Sequence, residues 1–336
     1  MDAGIEYSKR LGVIKSYQFQ AALKKFDLGD FVCAMPLQSG LFGQNVIVKS
    51  TKGKFVLRGK PHYPWQFPKE KYGAELLHNN TKVPVPYPYL HDFDTDIFGW
   101  DYILMPYMPG IHPENNHLSF REKLDIASAL GNGLAELHKC KWDFCGEYDL
   151  ATDTIKSFEA GYAKWFVSDV ECWLAALNEH AGISVYDADW VRKYLCENIK
   201  YLMYNIRPCF VMNDYNPYNV LVENMHGKWV VSGVFDLMEY YFGDGSADLV
   251  RMIAHYLEKY SSDAYNLINA FIKGYFTMVE MEPCIIDKFK LFMLRDRLII
   301  WEYGTRPNVA WFNNNDSFRE YVKRYMDNYE LLKGFN

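Results

Sequence analysis

Alternating apolar and polar residues dominate the first hundred residues of the chain. Three runs, FVCAMPL, QNVIVKS and KFVLRGK, carry this two-residue period, and the compact turn TKG separates the last two. The economical interpretation of the last two runs is a hairpin. Helical spacing marks residues 16–26 and the segment PWQFPKEKYGAELLHNN, and residues 102–110 read as an apolar strand stopped by two prolines. The pattern predicts a region built mostly of strands, with one main helix.

The period changes to that of an amphipathic helix after residue 110. In SFREKLDIASALGNGLAELHKC the apolar side chains fall on or near one helical face: Leu124, Ile126, Leu130, Leu134 and Leu137. Further helical patterns cover residues 156–179 and 190–205, and helices resume from residue 247 to the end. We therefore expect a small strand-rich domain, residues 1–107, and a large helical domain, residues 108–336. A nucleotide cleft between two unequal lobes would suit this layout.

Composition and charge narrow the class of protein. The 336 residues are 49% hydrophobic and 23% charged, as in an ordinary soluble globular protein. The formal net charge of −6 argues against a nucleic-acid binder, which normally carries a basic face. This charge is compatible with a cationic substrate.

The cysteines and the apolar segments predict the compartment. Seven cysteines are scattered without a CxxC pair, so a disulfide framework or a zinc site is not expected. The N-terminal residues lack the apolar core of a signal peptide, and no stretch approaches the roughly 18 apolar residues of a membrane span. The sequence predicts a cytoplasmic protein with no membrane partner.

Two polar segments, each next to an apolar strand, carry the candidate chemistry. VMNDYNPYNVLVEN places Asp214 five positions before Asn219, and WVVSGVFDLMEYYFGDGSADLV places Asp236 at the end of a strand. A strand–turn–strand connection would bring Asn219 and Asp236 to one site. One amide and one carboxylate suit Mg²⁺, which keeps several waters and leaves positions for phosphate oxygens. Asp214 would then orient an acceptor hydroxyl, the division of labour that phosphoryl transfer needs.

Each of these residues also has a structural interpretation. Asp214 could cap a turn, because Asp-x-Asn-Pro is good turn chemistry, and Asn219 could form an Asx-turn. Asp236 could be a solvated carboxylate at a strand end. Asp248 could equally be the N-cap of the helix that follows it or a catalytic group.

The segments NDYNPYN and GVFDLMEYYFGDGSADL resemble the catalytic and metal loops of the aminoglycoside phosphotransferase family. Choline kinases and methylthioribose kinases are relatives in this family. LAELH at residues 134–138 and VPVP at residues 83–86 extend the resemblance to roughly residues 37–252. The resemblance implies an α+β, bilobal, protein-kinase-like fold with a five-stranded N-lobe sheet. It also implies that Asp214 is the catalytic aspartate and that Asn219 and Asp236 are magnesium ligands.

The same resemblance assigns a nucleotide site to the first lobe. Its members are Arg58, Glu70, Ser39, Gly40, Met105 and Tyr107. Arg58 replaces the usual phosphate lysine and can grip phosphate oxygens with two donors. Glu70 would pair with Arg58; Glu75 of the same helix competes for that role, and a surface ion pair is the structural alternative. The loop QSGLFGQN has only two glycines, and Met212 stands where the family carries the histidine that braces its catalytic loop.

An aromatic and acidic segment near the C-terminus is the candidate substrate site. Trp301, with Asp296 and Glu302 nearby, could bind a cation. Packing of this helix on the core explains the same residues.

The sequence thus predicts a kinase that transfers the γ-phosphate of ATP or GTP, with Mg²⁺, to a hydroxyl of a small molecule. An aminoglycoside or related antibiotic is the leading acceptor. Choline or another amino alcohol is a rival acceptor. A third hypothesis is a catalytically weak kinase-like protein that binds nucleotide, which Met212 and the glycine-poor loop suggest.

Overall fold

The chain folds into two compact units. The structure is a computed structural model and describes residues 4–37, 43–203, 206–281, 284–312 and 316–329. The first unit contains Met1–Gly110, Leu150–Asp153 and Ser232–Met238, and the second contains Ile111–Asp149, Thr154–Val231 and Glu239–Asn336. Asp236 therefore belongs to the unit that holds Arg58, and Asp214 to the other.

The first nine elements, in chain order, are β1 (Ile5–Ser8), β2 (Gly12–Ile14), α1 (Ser16–Lys25), β3 (Phe31–Pro36), β4 (Asn45–Ser50), β5 (Gly53–Gly59), α2 (Gln66–Asn80), β6 (Leu90–Asp92) and β7 (Tyr102–Pro106). An antiparallel sheet runs in the order β3-β4-β5-β7-β6, and β1 pairs with β2 in a separate hairpin. The hairpin β1–β2 and the short strand β6 were not predicted, because three or four residues give too little periodicity to recognise.

Alternation along the strands fixes the two faces of this sheet. Val46, Val48 and Leu57 face a core that includes Phe19 and Leu23 of α1. Successive side chains of a strand point to opposite faces, so Arg58 projects away from that core. Its position beside α2 is what brings a guanidinium to the carboxylate of Glu70, as described below.

The later elements are α3 (Phe120–Leu137), β8 (Gly146–Asp149), β9 (Thr154–Ser157), α4 (Tyr162–Glu179), α5 (Val185–Asn198), β10 (Cys209–Val211), β11 (Val220–Met225), β12 (Lys228–Val234), β13 (Tyr241–Gly243), α6 (Leu249–Lys259), α7 (Ala264–Phe276), α8 (Ile285–Thr305) and α9 (Phe318–Met326). A four-stranded sheet has the order β10-β13-β8-β9, and β11 and β12 form a hairpin. No helix among the described residues is long and apolar enough to span a membrane.

Helices α3 and α7 pack at unusually close range. A Cβ atom added to Gly131 would lie 2.0 Å from the carbonyl oxygen of Phe271, and one added to Gly274 would lie 2.2 Å from that of Ser128. Only glycine allows the two backbones to approach this far. The close approach brings the end of α3, at His138, next to Tyr275 of α7.

Candidate active site

The loop between β10 and β11 holds the Asp214 carboxylate with neutral amides. Asn216 Nδ2 donates to Oδ1 at 2.8 Å and Asn219 Nδ2 donates to Oδ2 at 2.7 Å. The Asx-turn of this loop is formed by Asn216, whose Oδ1 accepts the Tyr218 N–H at 2.8 Å. Asp214 keeps 32% of its side chain exposed. It is thus an oriented and accessible carboxylate.

Asp248 braces the start of this loop. Its Oδ2 accepts the Met212 N–H and its Oδ1 accepts the Asn213 N–H, each at 2.7 Å. Asp248 occupies the N-cap position of α6, yet its side chain forms no capping hydrogen bond. Asp248 is thus the N-cap residue of α6 by position, while its carboxylate binds the loop instead of capping the helix. The brace uses backbone amides, so it does not depend on which side chain stands at Met212, and that side chain is fully buried.

His138 connects the brace to the packed helices. Its Nε2 lies 3.1 Å from Asp248 Oδ2, and its Nδ1 lies 2.8 Å from the Tyr275 hydroxyl. His138 and Asp248 are 2% and 1% exposed, respectively. The carboxylate that holds the loop is consequently fixed by contacts from α3 and α7.

Arg295 of α8 fixes Asn213, the residue that precedes Asp214. Its Nη1 donates to Asn213 Oδ1 and its Nε donates to Asp169 Oδ2, both at 2.7 Å. Asn213 has a φ of +64°, a left-handed conformation that asparagine tolerates better than most residues. Burial lowers the pKa of Arg295, but the Asp169 carboxylate outweighs this effect, and the pKa lies above its ordinary value. Arg295 remains a cation that pins the loop.

A second arginine, Arg251 of α6, approaches Asp214 itself. Its Nε lies 3.6 Å from Asp214 Oδ1 and 2.9 Å from Asp296 Oδ1. Asp296 is also bound by Arg297, whose Nη2 donates to Oδ2 at 2.5 Å. Burial raises the pKa of Asp296, but Arg251 and Arg297 together hold it below its ordinary value. The Asp296 carboxylate is ionised and committed to these two guanidinium groups.

In the first unit, Arg58 forms a buried ion cluster. Its Nη2 lies 3.2 Å from Glu70 Oε1 and donates to Asp236 Oδ1 at 2.8 Å. Gln66 Nε2 also donates to Glu70 Oε1, at 3.1 Å. The side chains of Arg58 and Glu70 are 6% and 0% exposed, so this is an interior pair rather than a surface one. Burial lowers the pKa of Arg58, but Glu70 and Asp236 raise it above its ordinary value.

The other nucleotide residues predicted in the first unit occupy different environments. Met105 pairs with Val56 in the sheet and is 6% exposed. Tyr107 follows β7, is exposed, and donates its N–H to Lys54 O at 3.1 Å. Ser39 and Gly40 lie outside the described residues.

A family match identifies the enzyme class. A model of the phosphotransferase enzyme family matches residues 34–284. The chain belongs to this family. The prediction of a phosphotransferase with an alcohol group as acceptor is confirmed. No curated protein matches this phosphotransferase by sequence.

Solved structures share the fold of this phosphotransferase at low sequence identity. The ternary complex of a thermostable mutant of aminoglycoside phosphotransferase APH(4)-Ia with ADP and hygromycin B is 13% identical, covers 94% of this chain and 98% of its own, and gives a TM-score of 0.60. The GDP complex of aminoglycoside 2′-phosphotransferase-IIIa is 13% identical, with coverages of 97% and 100% and a TM-score of 0.58. A choline kinase from Streptococcus pneumoniae is 15% identical, with coverages of 95% and 99% and a TM-score of 0.56. The predicted α+β, protein-kinase-like fold is confirmed.

The predicted substrate residues of this phosphotransferase are committed to protein contacts. Trp301 is 4% exposed, donates its Nε1–H to Gly182 O at 2.8 Å and stacks on Phe312 at 4.5 Å between ring centroids. Glu302 accepts two hydrogen bonds from Arg306, at 2.9 and 2.8 Å. These contacts fit the alternative of a helix packed on the core.

Asn219 and Asp236 are each of a residue type that would suit the magnesium ion that the family implies. Asn219 uses its Nδ2 group on Asp214, which leaves Oδ1 as a neutral oxygen donor. Asp236 uses Oδ1 on Arg58, its side chain is 29% exposed, and within the described residues its Oδ2 has no recorded hydrogen bond. Amide and carboxylate oxygens are the ligands that Mg²⁺ prefers. Among the described residues, no group of three or more His, Cys, Asp or Glu side chains forms a self-sufficient metal site.

Several residues that hold the loop were missed from the sequence. Asn216 lies two positions after Asp214 in the same short motif, and that spacing was a usable signal. Arg295 and Tyr275 act on residues 82 and 137 positions away, and no local pattern marks them. Arg251 lies three residues after Asp248, on a helix that the sequence did indicate.

Proposed function

We propose that this phosphotransferase is a kinase that transfers the γ-phosphate of ATP or GTP to a hydroxyl of an aminoglycoside or a related sugar antibiotic. The observation that carries the proposal is the Asp214 carboxylate, oriented by two amides and still one third exposed. The ADP, GDP and hygromycin B complexes of structures with this fold support a nucleotide donor and a sugar-containing acceptor. For this chain, the nucleotide donor and the sugar-containing acceptor are both proposals.

The residues proposed to bind the nucleotide and Mg²⁺ are assigned by the chemistry of their side chains. Arg58, kept charged by Glu70 and Asp236, would bind phosphate oxygens, because a guanidinium is a preferred phosphate ligand. Ser39, Gly40, Met105 and Tyr107 stay proposed nucleotide contacts. Asn219 and Asp236 would hold Mg²⁺, which when bound neutralises charge on the transferring phosphate.

Asp214 would orient the acceptor hydroxyl and accept its proton late in the reaction. In a loose transition state the hydroxyl loses its proton late, so orientation is the main requirement. The alternative of a catalytically weak protein rested partly on Met212. The Asp248 brace holds the Met212 and Asn213 amides in place, which supports the catalytic proposal instead.

The test is phosphoryl transfer from ATP and from GTP to a panel of aminoglycosides, with choline and ethanolamine as the rival acceptors. We expect transfer to at least one aminoglycoside, dependent on Mg²⁺. Asp236→Ala should abolish transfer and weaken Mg²⁺-nucleotide binding, because a proposed metal ligand is lost. Transfer at the wild-type rate in Asp236→Ala would contradict the metal assignment, and transfer to choline alone would contradict the acceptor class.

A further inference from the structure

Arg251 holds a guanidinium beside the Asp214 carboxylate, and within the described residues its two Nη groups have no recorded acceptor. Its side chain is 16% exposed, and its buried Nε faces two carboxylates, Asp296 Oδ1 at 2.9 Å and Asp214 Oδ1 at 3.6 Å, whereas Nη1 and Nη2 have no recorded hydrogen bond among the described residues. An arginine offers five N–H donors and no acceptor. A largely buried donor without an acceptor costs free energy unless water or a ligand meets it.

The neighbouring arginine shows that this arrangement is specific to Arg251. Arg297 donates through Nε and Nη2 to Asp296 and through Nη1 to Glu258, at 2.8, 2.5 and 2.6 Å. Arg297 is therefore bound on all three nitrogens by protein oxygens. Arg251 is held through its Nε by ion pairs with Asp296 and Asp214, and within the described residues no protein oxygen is recorded as an acceptor for its two Nη groups.

We propose that Arg251 binds the acceptor substrate and selects one with two adjacent hydroxyls. This inference rests on the proposed function, in which the reacting hydroxyl donates to Asp214. A second hydroxyl on the next carbon would accept from Arg251, so a vicinal diol of a sugar matches the carboxylate–guanidinium pair. The Asp214 carboxylate can only accept a hydrogen bond and the Arg251 guanidinium can only donate one, and the two hydroxyls satisfy both.

The same pair disfavours an amino alcohol. There the group beside the reacting hydroxyl is an ammonium, which only donates and carries the charge of the guanidinium. Asp296 does not offer a counter-ion, because its two oxygens are bound by Arg251 and Arg297 and the residue is 6% exposed. Arg251 thus separates the two acceptor classes, sugars and amino alcohols, that share the transfer chemistry.

The experiment compares acceptors that differ only in that neighbouring group. Kanamycin A and kanamycin B differ by one hydroxyl-to-amine exchange, as do glucose and glucosamine, and propane-1,2-diol and 1-aminopropan-2-ol. Transfer to each is measured as kcat/KM, alongside nucleotide hydrolysis without acceptor. The variants are Arg251→Gln and Arg251→Lys. Lys259→Gln is the matched control, since it removes a charge from the exposed end of the same helix.

We expect the wild type to prefer the diol member of at least one pair by about tenfold or more. Arg251→Gln should lower kcat/KM for that diol by roughly 10- to 100-fold, the loss typical of a hydrogen bond to a charged group. The preference over the amine should fall towards one, while the KM for nucleotide stays unchanged. For Arg251→Lys, kcat/KM for the diol should lie between the values of the wild type and of Arg251→Gln, because an ammonium keeps the charge but lacks the planar donor geometry of a guanidinium. Lys259→Gln should keep the preference.

Three results would overturn the inference. The first is an equal kcat/KM for the diol and the amine of each pair in the wild type. The second is an equal loss of kcat/KM for the diol and the amine in the Arg251 variants. The third is hydrolysis of nucleotide with transfer to no diol at all. A protein that neither binds nor hydrolyses nucleotide would instead remove the proposed function, and the inference with it.

Discussion

Asp214 and Arg58 show how differently two charged side chains are held in this phosphotransferase. Asp214 receives hydrogen bonds from two neutral amides, which fix its orientation, and Arg251 lies 3.6 Å from its Oδ1. Arg58 is enclosed by two carboxylates and is almost entirely buried. Substitution at the first site should therefore affect chemistry, and substitution at the second should also affect stability.

Asp214→Asn should bind Mg²⁺-nucleotide with nearly wild-type affinity, because the proposed metal ligands are unchanged. Turnover should fall by roughly the 10²–10⁴-fold that is typical of a lost acid–base group. Nucleotide titration and steady-state transfer, measured side by side, check this expectation. Asp189→Asn, at an exposed position, is the control. Full activity of the Asn variant would mean that Asp214 serves the loop only.

Arg58→Ala should lower the free energy of unfolding by about 3–5 kcal/mol, because it leaves the Glu70 carboxylate buried without its partner. Arg58→Lys keeps a cation and should be less destabilised. Urea unfolding of both variants measures the difference. Lys54→Ala, on the exposed part of the same strand, is the matched control and should unfold like the wild type. If Arg58→Ala also did so, the ion cluster would contribute no net stability.

At the scale of elements, Glu114 ties the segment before α3 to α6. Its carboxylate contacts His255 Nε2 at 2.8 Å, Lys259 Nζ at 2.5 Å and the Tyr260 hydroxyl at 2.8 Å. Burial raises the pKa of Glu114, but the contacts with His255, Lys259 and Tyr260 outweigh it and lower the pKa to about 2. The ionised carboxylate is therefore favoured in the folded protein.

This shift predicts a change in acid stability. Because the pKa is depressed on folding from its ordinary value of 4.5, the Glu114 contribution is complete above that value and is lost as the pH falls towards 2. Glu114→Gln should be less stable than the wild type at pH 7, and the gap should narrow on acidification. Thermal unfolding from pH 7 to pH 3 measures the gap, with the exposed Glu171→Gln as control. Parallel profiles would contradict the prediction.

Long periodic segments could be predicted from the sequence, whereas short strands could not. Helix α3 begins where its capping box, Ser119 with Glu122, precedes an apolar face, and both signals are local. The predicted helix over residues 156–179 is shorter in the structure, because Thr154–Ser157 pairs with β8 instead. The pairing of Thr154–Ser157 depends on contacts with β8, and four residues are too few to show a strand pattern in the sequence.

The same limit applies to the candidate site. Asp214, Asn219 and Asp236 were found because each stands in a short motif beside a strand. The contacts that fix them were not found, because His138 meets Asp248 across 110 positions and Arg58 meets Asp236 across 178. Long-range packing, rather than local propensity, decides those contacts.

At the scale of the whole molecule, net charge governs how copies of the chain meet. The formal charge of −6 at pH 7 falls to zero near the sequence pI of about 5.9. A protein without net charge loses the mutual repulsion that keeps it dispersed. Light scattering at low ionic strength should show a solubility minimum near pH 6, which added salt makes shallower. Solubility that does not change between pH 5 and pH 8 would contradict this expectation.

The hydrogen bonds that Asp248 accepts from the loop before Asp214 have a consequence for isotope exchange. The Met212 and Asn213 N–H groups lie in a loop, where amides normally take up deuterium fast, yet both are bound to the buried Asp248 carboxylate. Their protons can leave only when that contact opens, so they should be among the slowly exchanging amides. Mass spectrometry or NMR in deuterated water would measure this protection, and Asp248→Asn should reduce it. These two amides would then report, without any substrate, whether the loop is held in its competent form.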